Sequence, residues 1–140
     1  MTMAAARPPQ HPGYHLTLAR TGPSAARARR LARTACTAWD VEEYSEVAQL
    51  VLCELVTNAV RHTHGHLIRV SVEHPRADRL VLAVTDTSRD LPLMGRPRAG
   101  DLRGRGLLLI DALTETWGST RLPDGKRVWA QLAVKTGTQP

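Results

Sequence analysis

One segment of the chain restricts its possible folds more than any other. Periodicity predicts a helix from Val41 to His62, and Gly65 follows as a terminator. Nearly every side of the second half of this helix is apolar, so other elements have to bury it. The length of 140 residues leaves little room for a second domain. We therefore expect one domain built around this helix.

The segments around the helix predict a sheet. Alternating apolar and polar residues predict three strands: Tyr14–Ala19, Leu67–Glu73 and Leu80–Asp86. A closing hairpin around the turn residues Leu122-Pro123-Asp124-Gly125 adds two more, Thr114–Thr120 and Arg127–Val134. Helical spacing predicts two further helices, Ser24–Trp39, with Thr21 as a capping hydroxyl, and Gly106–Leu113. The order β-α-α-β-β-loop-α-β-β is typical of the α+β class. It predicts a two-layer α/β sandwich with a mixed, mostly antiparallel sheet and helices on one face.

Two segments lack periodicity. Residues 1–13 predict a disordered tail, which leaves a domain over residues 14–135. Residues 87–103 are rich in proline, glycine and arginine. A structureless connection of this length is uncommon in a compact domain and is usually a functional or a disordered loop.

The formal net charge of +6 favours anionic ligands. All but two of the 19 basic residues are arginine, which is typical of a GC-rich genome and makes the charge weak evidence for nucleic-acid binding. Aromatic residues are only 4% of the chain, so a stacking platform for single strands is missing. A nucleic-acid partner is therefore not expected.

Hydropathy and cysteine usage indicate a cytoplasmic protein. No apolar run approaches the roughly 18 residues of a membrane span, and residues 1–13 lack the apolar core of a secretory signal. Cys36 and Cys53 fall in predicted helices, and we interpret them as buried, reduced thiols.

The window LVLCELVTNAVRHTHG, residues 50–65, carries the most specific pattern. Glu54, Asn58 and His62 are four residues apart and share one helix face. Burying a carboxylate without a partner costs several kcal/mol, so a compensating ligand is expected. Mg²⁺ with phosphates would fit, because the Asn58 amide oxygen is a hard ligand and Glu54 could orient or deprotonate a nucleophile. Alternatively, Glu54 caps a loop and Asn58 ties down a strand.

Two further signals are weaker. Asp86 ends an apolar strand and could accept a hydrogen bond from an exocyclic amine such as that of adenine, or could begin a turn. The run Gly104-Arg105-Gly106-Leu107 precedes a predicted helix, where backbone N–H groups could approach a phosphate. The P-loop and Rossmann glycine patterns are both absent from the sequence.

The order and spacing of six segments resemble the pattern of one family. These segments are ELVTNAVRH, a strand ending in Asp86, a loop, GRGLLLID, WG and a Gly-Lys strand with Val-Trp. This is the Bergerat-type ATP-binding fold of histidine kinases, gyrase and Hsp90-type ATPases. The chain is most similar to the small, single-domain anti-sigma-factor serine/threonine kinases of bacteria. The resemblance extends over nearly the whole chain.

The resemblance implies ATP and Mg²⁺ as cofactors. It implies that Glu54 is the general base, that Asn58 binds magnesium and that Asp86 reads the adenine amine. It matches residues 87–103 to an ATP lid. Its remaining ATP-site positions are His62, Ser88, Gly104, Arg105, Gly106, Leu107 and Lys126.

The sequence departs from the family pattern at four positions. Ser88 and Asp90 replace glycines that usually follow the adenine-binding aspartate. Arg103 stands where a small residue is common, and Arg127 where a threonine is often found. We expect these two arginines to place cationic groups near the phosphate path. The arginines of the lid segment could clamp phosphates or form a solvated charge run.

The resemblance implies a kinase that phosphorylates a serine or threonine of an anti-anti-sigma (STAS-type) partner, with a sigma factor held by a kinase homodimer. The alternative is a nucleotide-sensing module of the same fold without phosphoryl transfer. A zinc site at His62, His64 and His66 is a weaker hypothesis, because three ligands within five residues seldom close a tetrahedron.

Overall fold

The computed structural model describes residues 13–62, 65–86 and 102–135. Its elements, in chain order, are β1 (Gly13–Ala19), α1 (Ser24–Ala38), α2 (Ser45–His62), β2 (Leu67–Arg76), β3 (Arg79–Asp86), α3 (Leu102–Leu113), β4 (Thr116–Leu122) and β5 (Gly125–Ala133). A short 3₁₀ turn, Glu42–Tyr44, leads into α2. The predicted α+β class is confirmed, although α2 begins later than Val41 and β1 takes in Gly13 from the expected tail.

The strands form one sheet in the order β1-β2-β3-β5-β4. All four pairings within the described residues are antiparallel. Tight hairpins join β2 to β3 and β4 to β5, so neighbours in sequence pair locally. β3 therefore lies at the centre, and Leu80, Leu82 and Val84 on its inner face are buried.

The helices cover this inner face. α1 packs on β1 and β2, α2 packs on β3 and β5, and α3 contacts α2 and β4. The buried side of α2 is formed by Ala48, Val51, Leu52, Leu55, Val56 and Ala59. Because α2 sits between α1, α3 and the sheet, it is the central helix that its apolar sequence required.

Helix α1 ends in a motif that explains its length. Asp40 adopts a left-handed backbone with φ of 60°. The backbone N–H of Val41 donates to the carbonyl of Cys36, and that of Asp40 donates to Thr37. This is the Schellman pattern, and the buried Val41 supplies its hydrophobic contact.

The start of α1 differs from the prediction. Thr21 makes no capping bond to a backbone N–H, because Pro23 occupies the cap position without a side-chain cap. Ser24 instead turns its hydroxyl back and donates to the carbonyl of Ala19 at 2.6 Å. The first turn of α1 is thus tied to the end of β1.

The sheet face away from the helices is polar and partly exposed. Trp129 lies across Gly118, where an added Cβ would come within 2.9 Å of the indole ring. Arg127 forms an ion pair with Glu73 at 3.7 Å on this face. Strand register places the fully buried Ala83 between Arg127 and Glu73. The expectation that Arg127 lies near the phosphate path is therefore wrong, since alternation along β5 turns it to the opposite face.

Trp117 of β4 donates its indole N–H to the carboxylate of Asp111 in α3 at 3.0 Å.

Cys36 is fully buried, and burial raises the pKa of its thiol from 9.0 to about 11. Both cysteines are free thiols, as predicted, but Cys53 is only half-buried.

Candidate functional site

The polar line of α2 is the first part of the site. The helix carries Glu54, Asn58 and His62 one turn apart, beside its buried side, and each is half-buried. Glu54 therefore keeps some contact with water, so the desolvation cost expected from the sequence applies only in part. A carboxylate and an amide oxygen one turn apart are a donor set suited to a hard cation with phosphate ligands.

Arg20 holds the C-terminal end of α2. Its Nη1 donates to the carbonyl oxygen of Val60 at 2.7 Å, and its Nε donates to the carbonyl of Gly65. Its backbone N–H donates to the carbonyl oxygen of His66 at 2.9 Å. The last carbonyls of a helix lack partners within the helix and carry partial negative charge, so a guanidinium stabilises them. Sequence reasoning missed this residue, whose only signal is an arginine directly after a strand.

The second part of the site is the inner-face end of β3. Asp86 shares its face with Leu80, Leu82 and Val84, and its side chain is 1% exposed. Across the sheet it is the register partner of Lys126, whose Nζ lies 3.3 Å from Oδ2. The lysine side chain is 5% exposed. The two residues form a buried ion pair, in which each charge offsets the desolvation of the other.

Both parts lie at one end of the sheet. Leu18, Ile68, Asp86 and Lys126 occupy one row across four strands. The next positions along the edge are Ala19 and Leu67, followed by Arg20. Because Arg20 also binds the end of α2, the polar line of α2 runs toward the end of the sheet that carries the ion pair.

The glycine-rich run does not lie where the sequence placed it. Helix α3 begins at Leu102, so Gly104, Arg105, Gly106 and Leu107 form its first turns rather than a turn before it. Glycine within a helix costs roughly 1 kcal/mol relative to alanine, which is why the sequence predicted a later start. Packing of α3 on α2 and β4, through residues such as the fully buried Ile110, outweighs that cost.

The lid segment is only partly described. Ser88 and the other residues from 87 to 101 lie outside the described residues. Leu102 and Arg103, which the prediction assigned to the lid, belong to α3.

The zinc hypothesis gains no support from the structure. His66 is exposed, and His64 falls outside the described ranges. Within residues 13–62, 65–86 and 102–135, no three His, Cys, Asp or Glu side chains converge on one point.

No helix in the described part of the chain has the length and hydropathy to cross a bilayer.

Comparison with known proteins agrees with this architecture. A family model described as a histidine kinase-like ATPase domain matches residues 17–132. No curated protein matches the chain.

Two solved structures are similar in fold. One is the histidine kinase domain of the blue-light activated histidine kinase from Erythrobacter litoralis EL346, with a TM-score of 0.54 and 18% identity over 81% of this chain and 60% of that chain. The other is the Acinetobacter baumannii histidine kinase AdeS, with a TM-score of 0.53 and 13% identity over 86% of this chain and 67% of that chain. The chain thus spans less than two thirds of the Erythrobacter structure, and identities this low establish the fold alone.

Proposed function

Because the chain belongs to the histidine kinase-like ATPase domain family, we propose that it binds ATP with Mg²⁺ and transfers the γ-phosphoryl group to a serine or threonine of a partner protein. Family membership implies the ATP binding. The serine/threonine specificity is our proposal, and it rests on one observation: Glu54 and Asn58 lie one turn apart on the half-buried polar line of α2.

The donor set of α2 fits a magnesium nucleotide. Asn58 would hold the ion through its amide oxygen, and phosphate oxygens and water would complete the shell. The bound ion would neutralise charge on the phosphates during transfer. Glu54 is one turn away on the same face of the helix, and its carboxylate would be the base for a hydroxyl beside the phosphates.

The proposed reaction needs one proton acceptor. The hydroxyl oxygen of the partner forms a bond to the γ-phosphorus, and the bond from that phosphorus to the bridging oxygen of ADP breaks. The hydroxyl proton passes to the carboxylate of Glu54, and ADP leaves with the electron pair of the broken bond. Asp86 would accept a hydrogen bond from the adenine amine at the other part of the site.

We propose an anti-anti-sigma (STAS-type) protein as the phosphorylated partner and a sigma factor as a second partner of a kinase homodimer, in the cytoplasm. The outer side of α1 supports a partner with an acidic surface. It exposes four arginines, Arg27, Arg29, Arg30 and Arg33. The helix has no acidic residue, and none of these arginines forms an ion pair in the described part of the chain.

The test of the kinase proposal separates binding from transfer. Wild-type protein is used to capture partners from its native cell extract, and each captured protein is incubated with Mg²⁺ and γ-labelled ATP. Label is expected on a serine or threonine. Glu54→Gln should bind ATP normally and lose transfer by a factor of about 10² to 10⁴. Glu46→Gln, on the exposed first turn of the same helix, is the matched control and should keep full activity.

Three results would count against this proposal in different ways. Nucleotide binding with no transfer to any captured protein would favour the nucleotide-sensing module. Transfer that survives in Glu54→Gln would reject the role of Glu54 as base. Charge reversal at Arg29 and Arg33 should abolish partner capture and leave ATP binding intact; undiminished capture would reject α1 as the partner surface.

A further inference from the structure

We propose that Lys126 is a second base-reading residue beside Asp86, and that it donates a hydrogen bond to N1 of adenine. The carboxylate of Asp86 would at the same time accept a hydrogen bond from the 6-amino group. This inference rests on the proposed ATP binding and adds a specificity-determining residue to that site.

The placement of Lys126 is the first observation. It pairs in register with Asp86 on the face that the helices cover. The row of residues that contains this pair reaches β1 at Leu18, two positions before Arg20, which binds the C-terminal end of α2. The next residues of β5 on that face, Val128 and Ala130, are buried and apolar. Because Nζ lies 3.3 Å from Oδ2 of Asp86, a ligand bound to this carboxylate would lie close to the ammonium group.

The donor capacity of the ammonium group is the second observation. Its Nζ carries three hydrogens, and its side chain is 5% exposed. Among the described residues, Nζ has no hydrogen-bond partner beyond its ion pair with Asp86. Unused donors on a buried charge are costly, so an acceptor supplied by a ligand would be favourable. Asp86 can serve a ligand as well, because a carboxylate has about four acceptor positions.

The chemistry of the pair matches one edge of a purine. Adenine presents a donor, the 6-amino group, next to an acceptor, N1; guanine presents O6 and N1–H in the reverse order. Asp86 and Lys126 offer an acceptor next to a donor, which is complementary to adenine. Enzymes that recognise a single base form hydrogen bonds to this Watson–Crick edge. With Asp86 at the amino group, Lys126 falls at N1, so the pair would select adenine over guanine.

The test compares nucleotides that differ at single ring positions. Wild-type protein is titrated calorimetrically with the magnesium complexes of ATP and 1-deaza-ATP, which keeps the 6-amino group but has C–H in place of N1. Because one charge-assisted hydrogen bond is lost, 1-deaza-ATP should bind about 10- to 100-fold more weakly than ATP. GTP should bind at least as weakly.

A variant assigns the effect to the lysine. Lys126→Met keeps the aliphatic stem and removes the donor, so ATP and 1-deaza-ATP should bind it equally. Lys135→Met, at the exposed second lysine of the chain, is the matched control and should discriminate like wild type.

Equal affinity of wild-type protein for ATP and 1-deaza-ATP would overturn the inference while leaving ATP binding intact. Persistent discrimination in Lys126→Met would also overturn it, by assigning N1 to another donor. If Lys126→Met does not fold, the wild-type comparison decides alone. Absence of binding by every nucleotide would overturn the proposed function along with it.

Discussion

The guanidinium of Arg20 donates a hydrogen bond of 2.7 Å to the carbonyl oxygen of Val60, and so joins the residue after β1 to the last turn of α2. This contact links the sheet edge to the helix that carries Glu54 and Asn58. The orientation of the polar line relative to Asp86 therefore depends on an arginine that does not belong to that line.

Replacing Arg20 by alanine should lower the free energy of unfolding by about 1–3 kcal/mol, because the half-buried carbonyls of Val60 and Gly65 lose a charged donor. Urea denaturation followed by circular dichroism measures this change. Arg27→Ala, on the exposed side of α1, should stay within about 0.5 kcal/mol of wild type. Equal changes in the free energy of unfolding for the two substitutions would show that the hydrogen bonds of Arg20 do not stabilise the fold.

Asn58→Ala should weaken binding of ATP in the presence of Mg²⁺ by at least about tenfold, because the proposed metal ligand is lost. Urea denaturation of the variant shows separately how far the fold depends on this side chain, whose amide oxygen is buried. Calorimetric titration with ATP, first in Mg²⁺ and then in EDTA, separates the part of ATP binding that depends on the metal from the part that does not. Unchanged affinity in the presence of Mg²⁺ would reject the metal role of Asn58.

Asp86→Asn should weaken adenine nucleotides more than inorganic triphosphate, because only the nucleotide has an amine for the carboxylate to accept from. Competition titrations with ATP and tripolyphosphate give the two ratios. Matching losses for both ligands would argue against adenine recognition by Asp86.

The buried pair of Asp86 and Lys126 should show strong energetic coupling. Asp86→Asn and Lys126→Met should each destabilise the fold by roughly 3–5 kcal/mol, because each leaves a buried charge uncompensated. The double variant should be more stable than the sum of the single effects predicts, by about 1–3 kcal/mol. Urea denaturation of all four proteins measures the coupling, and simple additivity would mean that the two groups act independently.

Cys36 should make stability fall in alkali. The folded protein keeps the thiol proton up to a pKa of about 11, whereas the unfolded chain releases it near 9.0. Between these values the folded state binds more protons, so the free energy of unfolding decreases as pH rises, by up to about 3 kcal/mol in all.

The difference between wild type and Cys36→Ala, followed from pH 8 upward, isolates this contribution, and Cys53→Ala is the control. In native protein at pH 8 a thiol reagent should modify the half-buried Cys53 well before Cys36. A wild-type stability curve parallel to that of Cys36→Ala would contradict the assignment.

Local patterns in the sequence predicted much of this molecule. Alternation predicted β1, β2 and β3, because successive side chains of a strand point to opposite faces of the sheet. The turn residues at 122–125 predicted β4 and β5 as a hairpin. The four-residue spacing of Glu54, Asn58 and His62 predicted a shared face, because that spacing needs only helix geometry.

Contacts between distant segments were not predictable in the same way. The predicted last strand begins at Arg127 and leaves Lys126 outside it. The pairing of Lys126 with Asp86 depends on how β3 and β5 align, which local pattern does not determine. Arg20 and Val60 are 40 positions apart, and nothing near either residue indicates the other. The start of α3 was misplaced because intrinsic propensity disfavours the two glycines, whereas tertiary packing decides the element.

The hydrogen bond from Trp117 to Asp111 gives the protein a natural optical reporter. The indole sits on the sheet and its partner on α3, the helix that follows the expected lid. Tilting α3 away from the sheet would break this bond and change the polarity around the ring, and with it the wavelength of emission. With Trp39 and Trp129 replaced by phenylalanine, a single emitter would follow that movement in real time, without any attached dye.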